Sequence, residues 1–509
     1  MNTDVFSMLD YFTLAAYLIV VVTIGMRVGK GQKDNKEYFL AGRSMGWFPV
    51  GISTLASLYS AITYMGAPSE YYTHGLAMAV QHVSTILIIP VVIYIFMPFF
   101  HRLQVYTAYE YLEHRFNLSV RILASGVFLI WRLLWMGTAT YVPALVLHTV
   151  TGLPLVETII GVGVVATLYT VAGGMRAVIW TDVCQFFVLF TGSIFVVWLL
   201  GLSTGGPKEV WTIAEQGGRA NLFEWSLNPT IRVTTWGALI GGVIGHLGQY
   251  GADQVSVQRY LAARSLPVMQ KSFILSVFAG LVMKGFIIAI GLGLFAFYIS
   301  NPEALPSLIQ GDKVFPYFIA TQMPIGMRGI MIAAILAAAM SSIDSGLNSC
   351  TTAFITDFYK RLNWKFNWME RLFSGSLPVE GGALELKLSR LLTLILGIFV
   401  TVLACYVGEL GSIIEITNKL VNSFSGPMAA VFLLGMLTRR CNPVGAFLGL
   451  LVGSIVTSYF ILFSNISFLW YGTVGLVTTL VVGYTVSIFQ GSQPTGRQDL
   501  TFKISNNCS

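Results

Sequence analysis

The residues of this chain that could do chemistry lie inside long apolar runs. One run contains AAAMSSIDSGLNS, in which polar side chains recur every three or four residues and would share one face of a helix. These residues are Ser341, Ser342, Asp344, Ser345, Asn348 and Ser349. A single serine can bond back to its own helix, but five such groups and a carboxylate exceed that need. Oxygen donors without His or Cys suit an alkali cation, and the lack of clustered carboxylates argues against Ca²⁺ and Mg²⁺. The stripe therefore predicts sodium binding.

Few residues inside the apolar runs are ionisable. Each costs roughly 2.5 to 3.5 kcal/mol at a membrane helix centre and is therefore a functional candidate. They are Arg132, Asp182, Lys284, Asp344, Glu415 and Lys419. Asp182 lies near the start of its predicted helix, where capping of free amides or snorkelling explains it as well as an ion site does.

Composition places these residues in a membrane protein. Of the 509 residues only 10% are charged and 55% are hydrophobic, with a mean hydropathy of +0.73, whereas soluble proteins are about 25% charged. Because only helices and closed barrels satisfy their backbone in lipid, each apolar run of about 20 residues predicts one helix. The sequence thus predicts an all-α polytopic fold with thirteen transmembrane helices. Their predicted limits are 9–29, 46–68, 76–100, 121–149, 155–174, 176–202, 233–253, 268–299, 328–356, 388–408, 411–437, 443–464 and 468–490.

Basic residues predict the orientation. The loop after the first span carries five Lys and Arg residues between positions 27 and 43, and the next loop carries none. The alternation continues to the carboxyl end, with Arg259, Arg264 and Lys271 after the seventh span on the same side as the first group. By the positive-inside rule the amino terminus is outside and the carboxyl terminus is cytoplasmic. The net charge of +7 is therefore a topology signal, and it predicts no nucleic-acid partner. Short tails and loops favour a multi-pass protein of the plasma membrane, specifically a bacterial inner membrane.

Two spans predict an internal repeat. The second and seventh, GISTLASLYSAITYMGAPS and WGALIGGVIGHLGQYGADQ, lie five spans apart and between them carry Gly, Ser and Thr at midmembrane positions, the seventh only Gly. Discontinuous helices at matching places indicate a five-plus-five inverted-repeat transporter with its site at the midplane. Close helix packing alone would also explain the small residues. We expect one membrane domain: a peripheral helix 9–29, repeats 46–202 and 233–437, peripheral helices 443–490 and a cytoplasmic tail 491–509.

Six segments in order carry a family resemblance. They are Ser60-Ala-Ile-Thr63 with Gly66-Ala-Pro-Ser-Glu70, Ala108-Tyr-Glu-Tyr-Leu-Glu113 with Arg115-Phe116, the run from Gly173 to Val183, Asp253-Gln-Val-Ser-Val-Gln-Arg-Tyr260, Ala338-Ala-Met-Ser-Ser342 and Gly426-Pro427. The chain resembles the sodium/solute symporter family, which shares the inverted-repeat fold first seen in the leucine transporter. It is similar to the branch that carries sialic acid, and GAPSEYYTHG is similar to carriers of iodide, monocarboxylates and vitamins. The resemblance implies sodium-coupled import of a small solute by alternating access, with Na⁺ as the coupling ion and a monomer as the functional unit in the lipid bilayer.

The resemblance also implies two ion sites. The family's main sodium site maps onto the carbonyls of three residues and the hydroxyls of two, which are Ala56, Tyr59, Ala338, Ser341 and Ser342. An interrupted helix frees carbonyls for such a site. A second sodium, nearer the cytoplasm in some relatives, maps onto Asp182, Ser341, Asp344 and Ser345. Asp344 stands where those relatives carry a hydroxyl, so a tighter sodium site and a protonatable site are both open.

The implied solute site differs at two positions from the sites of related carriers. Its residues are Ser60, Thr63, His82, Trp135, His246, Gln249, Tyr250 and Lys419. Trp135 replaces the arginine of sialic acid carriers, and His82 replaces an acidic or amide group of sugar carriers, so neither specificity is transferred. Lys419, two histidines and an aromatic wall favour a small organic anion of carboxylate type, unless Lys419 pairs with Glu415 one turn away. A neutral sugar or polyol is the alternative solute.

Functions of other classes have little support in the sequence. The six histidines assemble no nucleophile with a base and no metal cluster, and the five cysteines have no zinc or disulfide spacing. A channel should show a filter repeat and a sensor an added soluble domain, and neither is found. We therefore expect a transporter, not a membrane-embedded enzyme or sensor.

Overall fold

The chain folds into helices that run in both directions around one central helix. The computed structural model describes residues 6–29, 32, 34–103, 105–363, 381–408 and 413–490, without the side chains of 381–384, 413–419 and 422. Within these ranges there is no β-strand, and Met45 and Ala263 form an isolated parallel bridge. The α-helices are α1 Met8–Val28, α2 Asn35–Leu40, α3 Trp47–Leu58, α4 Ala61–His74, α5 Gln81–Leu87, α6 Ile89–Val91, α7 Met97–Leu103, α8 Glu110–Arg115, α9 Leu118–Thr151, α10 Leu155–Ser203, α11 Pro207–Gln216, α12 Thr235–Gly251, α13 Gln254–Ala262, α14 Leu266–Ser300, α15 Val314–Gln322, α16 Met327–Ala353, α17 Gly381–Val407, α18 Ile413–Leu437, α19 Pro443–Phe463 and α20 Tyr471–Phe489.

Long apolar helices confirm the predicted all-α polytopic fold, but not the predicted number of spans. In the part of the chain that the structure describes, nine helices are long and apolar enough to cross a membrane, and two more apolar helices are shorter. The prediction was thirteen spans. The numbers differ by four. Helix α4 is counted together with the third predicted span, and the fifth and sixth predicted spans join in α10. Helix α12 and the fully described part of α18, Ser423–Leu437, are each shorter than a full span.

Gly174 explains how two predicted spans join in α10. Its backbone has φ +54° and ψ −165°, so the helix is interrupted there between the predicted spans 155–174 and 176–202. Only glycine adopts this conformation without strain. A Cβ at this position would also lie 2.7 Å from the ring and the carbonyl oxygen of Tyr38. The two halves can therefore pack in different directions.

The second predicted span is interrupted, as its small and polar residues indicated. Helix α3 ends at Leu58, and α4 begins after Ser60, whose side chain accepts a hydrogen bond from the Thr63 amide at 3.3 Å. An amino-terminal serine cap of this kind stabilises a helix start by about 1 kcal/mol.

The seventh predicted span, 233–253, ends in a similar break, which separates it from the next helix. Helix α12 ends at Gly251, and Asp253 caps α13 by accepting a hydrogen bond from the Val255 amide at 2.9 Å. Both breaks leave carbonyls and amides free of intrahelical partners in the middle of the protein.

Helix α16 is the central element and carries the polar stripe. Nearly all of its residues are buried, so the stripe faces protein and not lipid. A residue of α1 stabilises the amino-terminal end of α16: Asp10 accepts hydrogen bonds from the amides of Gly326 and Gly329 at 2.8 and 2.9 Å. The carboxylate thus caps α16 from a neighbouring helix.

Candidate functional site

The five residues of the predicted main sodium site meet where α3 ends against α16. The Ser341 hydroxyl donates to the carbonyls of Ala56 at 3.1 Å and Ala338 at 3.0 Å. The Ser342 hydroxyl donates to Ala338 at 3.3 Å, and the Tyr59 amide donates to Ala56 at 3.2 Å. All five residues are buried.

The chemistry of this donor set fits a sodium ion. Ala56 lies in the last turn of α3, where a helix carbonyl lacks its regular amide partner because the following residues leave the helix. The set combines carbonyl and hydroxyl oxygens without nitrogen or sulfur, which suits a hard cation.

The predicted second ion site is a buried cluster of charges. Asp344 accepts hydrogen bonds from the hydroxyls of Tyr169 at 2.8 Å and Ser345 at 3.2 Å. Asp182 forms an ion pair with Arg259 at 3.0 Å. Arg259 also donates to the Ser345 hydroxyl, so it joins the two carboxylates into one network.

Arg259 is the residue of this cluster that the sequence reasoning missed. Its position beyond the seventh span made it one of the predicted cytoplasmic charges, yet its side chain is fully buried. The signal available was its place in the segment from Asp253 to Tyr260. Its pairing also accounts for Asp182, which is fully buried inside α10 and also accepts a hydrogen bond from Ser53 at 2.6 Å.

Six predicted solute residues line one cavity of about 350 Å³, a volume within the usual range for small-molecule sites. They are Thr63, His82, Trp135, His246, Gln249 and Tyr250. Ser60 does not line this cavity and instead caps α4. Lys419 belongs to α18, but its side chain lies outside the described residues.

Lys284 brings a positive charge to this cavity, although the sequence reasoning gave it no site. Its ammonium group donates to the Thr85 hydroxyl at 2.8 Å, and that hydroxyl lies 2.9 Å from Nε2 of His246. Among the ion pairs of the described residues, none involves Lys284. Its occurrence in an apolar run was the only sequence signal.

The part of the cavity wall formed by α9 and α18 is aromatic. Trp131 stacks on Phe424 with ring centroids 4.3 Å apart, and Trp135 lies 6.3 Å from Trp131. Arg132 covers the Trp131 ring, with Cζ 4.3 Å from its centroid, and forms a buried ion pair with Asp253. That pair joins α9 to the break between α12 and α13.

A larger cavity of about 1420 Å³ lies beside the first, towards the carboxyl end of α4. Both cavities are lined by Gly66, Glu70 and Phe468. Glu70 pairs with Arg232 at 2.7 Å at this boundary. This is the side predicted to be extracellular.

Comparisons with known proteins identify the family of the chain. The model of the Sodium:solute symporter family matches residues 38–453. The sodium/sialic acid symporter SiaT of Proteus mirabilis is 31% identical over 485 residues, covering 94% of each chain. The sodium-dependent multivitamin transporter of Oryctolagus cuniculus is 32% identical over 509 residues, covering 98% of this chain and 76% of that protein. A solved structure of a Na⁺-coupled sialic acid symporter in a substrate-bound, outward-open state has a TM-score of 0.84 at 30% identity, covering 95% of this chain and 98% of that one.

These matches confirm the predicted family, the coupling ion and the helical transporter fold. They also agree with the predicted multi-pass location in a plasma membrane, including the bacterial inner membrane. The chain belongs to the sodium:solute symporter family and is a sodium-coupled membrane transporter, not an enzyme.

Proposed function

We propose that this symporter imports a small organic anion of carboxylate type together with sodium by alternating access. The observation that carries the proposal is Lys284, a partly buried ammonium in the cavity with a hydroxyl as its partner and no carboxylate at ion-pair distance among the described residues. A charge held in such a place is costly unless a counter-charge joins it. A solute carboxylate would supply that charge.

Two further features support an anion. Thr85 and His246 continue the hydrogen-bond chain from Lys284 and offer polar contacts to the same solute group. The relatives named for sialic acid carry an acid. The family resemblance implies an arginine of those carriers at the position of Trp135, so we propose a different acid for this chain. Lys419 stays a second candidate cation for the same cavity.

We propose the main sodium site at Ala56, Tyr59, Ala338, Ser341 and Ser342. The hydrogen bonds that already connect the α3 and α16 groups support this assignment. The second ion belongs with Asp182, Ser341, Asp344 and Ser345. Two carboxylates there face one guanidinium, so the cluster has one negative charge in excess when both are ionised. One monovalent cation would balance that charge.

The finer architecture is also part of this proposal. Thirteen spans place the amino terminus outside and the carboxyl terminus in the cytoplasm, with inverted repeats at 46–202 and 233–437. The interruptions after Leu58 and Gly251 support the repeats, because each would fall in the first helix of its repeat. The functional unit is a monomer without a nucleic-acid partner.

Thermal unfolding of the purified protein tests the anion proposal. Carboxylates, their methyl esters, sugars and polyols would each be added in sodium and in choline. A ligand at 100 times its Kd adds about 2.7 kcal/mol of stability. We expect stabilisation by a carboxylate in sodium only, with its ester much weaker. Stabilisation by a sugar, and by no carboxylate, would favour the neutral alternative.

A further inference from the structure

Two tryptophans of the cavity wall have hydrogen-bond donors that the protein does not use. The indole N–H groups of Trp131 and Trp135 are buried and have no acceptor within the described part of the chain. The two residues are only 8% and 9% exposed, and both line the cavity. A buried donor without a partner costs free energy, so two on one wall are an unusual feature.

Neither indole nitrogen has an acceptor of the described residues within hydrogen-bond distance. Asp253, a carboxylate that lines the same cavity, already accepts hydrogen bonds from Arg132 and from the Val255 amide. Arg132 itself is a donor and lies against the face of Trp131. The stack with Phe424 fixes the Trp131 ring, so its N–H direction is set before a ligand arrives.

We propose that Trp131 and Trp135 form a second polar subsite that binds a neutral acceptor of the solute, namely a carbonyl oxygen. A neutral donor such as an indole suits a neutral acceptor, and the positive charge of Arg132 is already balanced by Asp253. The inference rests on the proposed function for the other end of the solute, where Lys284 holds the carboxylate.

The positions of the two subsites define the solute class. Lys284 lies on α14 with partners on α5 and α12, whereas Trp131 and Trp135 lie on α9 next to α18. The carboxylate and the carbonyl therefore bind to different walls of one cavity of about 350 Å³. The solute is a carboxylate with a ketone or amide carbonyl separated from the acid by a short chain.

Calorimetric binding in saturating sodium tests the subsite. The probes are linear keto acids with the carbonyl at increasing distance from the carboxylate, and the unsubstituted acids of the same chain length. The variants are Trp131→Phe, Trp135→Phe and the double variant, which keep an aromatic ring, although a smaller one, and remove the N–H groups. Trp198→Phe is the matched control, because Trp198 is 56% exposed on α10, away from the cavity wall.

In the unaltered protein, at least one keto acid should bind about tenfold or more tightly than its unsubstituted counterpart. Each single variant should lose part of this preference and the double variant nearly all of it. The readout is the ratio of the two affinities, because the smaller ring can weaken binding of both acids alike. The Trp198→Phe control should keep the preference. The subsite is wrong if no keto acid is preferred, or if the preference survives in both single variants and in the double variant.

Methyl esters of the same acids separate the two proposals. If keto esters bind as well as keto acids and lose their preference in the tryptophan variants, the subsite stands and the anion proposal fails. If acids bind better than esters without a keto preference, the anion proposal stands and the subsite fails. Binding of none of these compounds contradicts both.

Discussion

Replacing Lys284 with Gln should weaken binding of the solute anion strongly while leaving the protein folded. The change removes the positive charge but keeps a side chain that can still donate to Thr85. A hydrogen bond to a charged group contributes about 1.5 to 3 kcal/mol. The expected loss for a carboxylate is therefore about ten- to 150-fold in affinity.

The effect on stability should have the opposite sign. No acidic partner accompanies Lys284 in the described residues, so its ammonium is a partly buried charge without a counter-charge. Removing such a charge relieves a desolvation cost. In sodium without solute, the melting temperature of Lys284→Gln should equal or exceed that of the unaltered protein.

The assay is carboxylate affinity and melting temperature measured on the same preparations in sodium. Lys271→Gln is the matched control, because Lys271 is exposed on the same helix α14 and does not line the cavity. The reasoning is refuted if Lys284→Gln binds the carboxylate with unchanged affinity. It is also refuted if affinity falls only together with a lower melting temperature, which would indicate a structural role.

Four further variants test the remaining claims, three of them at the two ion sites and one at an ion pair outside them. Ser342→Ala removes one of two side-chain oxygens of the main sodium site, so the sodium half-saturation of transport should rise about tenfold or more without unfolding; an unchanged value would misplace the site. Asp182→Asn should cost about 3 to 5 kcal/mol of stability because Arg259 is left buried without its partner. Asp344→Asn should not cost this stability. Each of the two variants should lower the sodium Hill coefficient of transport, which we expect to exceed one in the unaltered protein, and the double variant should lower it no further. A Hill coefficient near one in the unaltered protein would contradict the second ion. Burial raises the pKa of Glu113, but hydrogen bonds from two arginines lower it more, so its folded pKa lies below the ordinary value. Its stabilising contribution is full above about pH 4.3 and is lost as pH falls through the lower folded pKa, so the melting-temperature difference from Glu113→Gln should shrink with acid; a constant difference would contradict this.

Much of the fold could be predicted because lipid leaves few choices for the backbone. Apolar runs of sufficient length become helices, and the described ends lie within a few residues of those expected for α1 and α19. The break after Leu58 was indicated by small and polar residues, and the boundary at Gly174 by the change between two apolar runs. These are local signals, which a sequence carries directly.

Contacts between distant helices could not be predicted in the same way. Arg259 counted as a loop charge because nothing near it in sequence shows that Asp182 lies beside it. Lys284 stood out as an ionisable residue in an apolar run, but its neighbour Thr85 comes from another part of the chain. The unused indole donors of Trp131 and Trp135 likewise depend on which acceptors the fold leaves within reach.

Uptake into proteoliposomes under an imposed sodium gradient tests the central claim most directly. Purified protein would be reconstituted in sodium-free vesicles, and the carboxylate identified by thermal unfolding would be added outside with sodium or with choline. The account predicts transient accumulation above the outside concentration with sodium, loss of accumulation when an ionophore collapses the gradient, and little uptake by Lys284→Gln. Equal uptake in sodium and choline, or sodium-driven uptake that does not depend on Lys284, would contradict it.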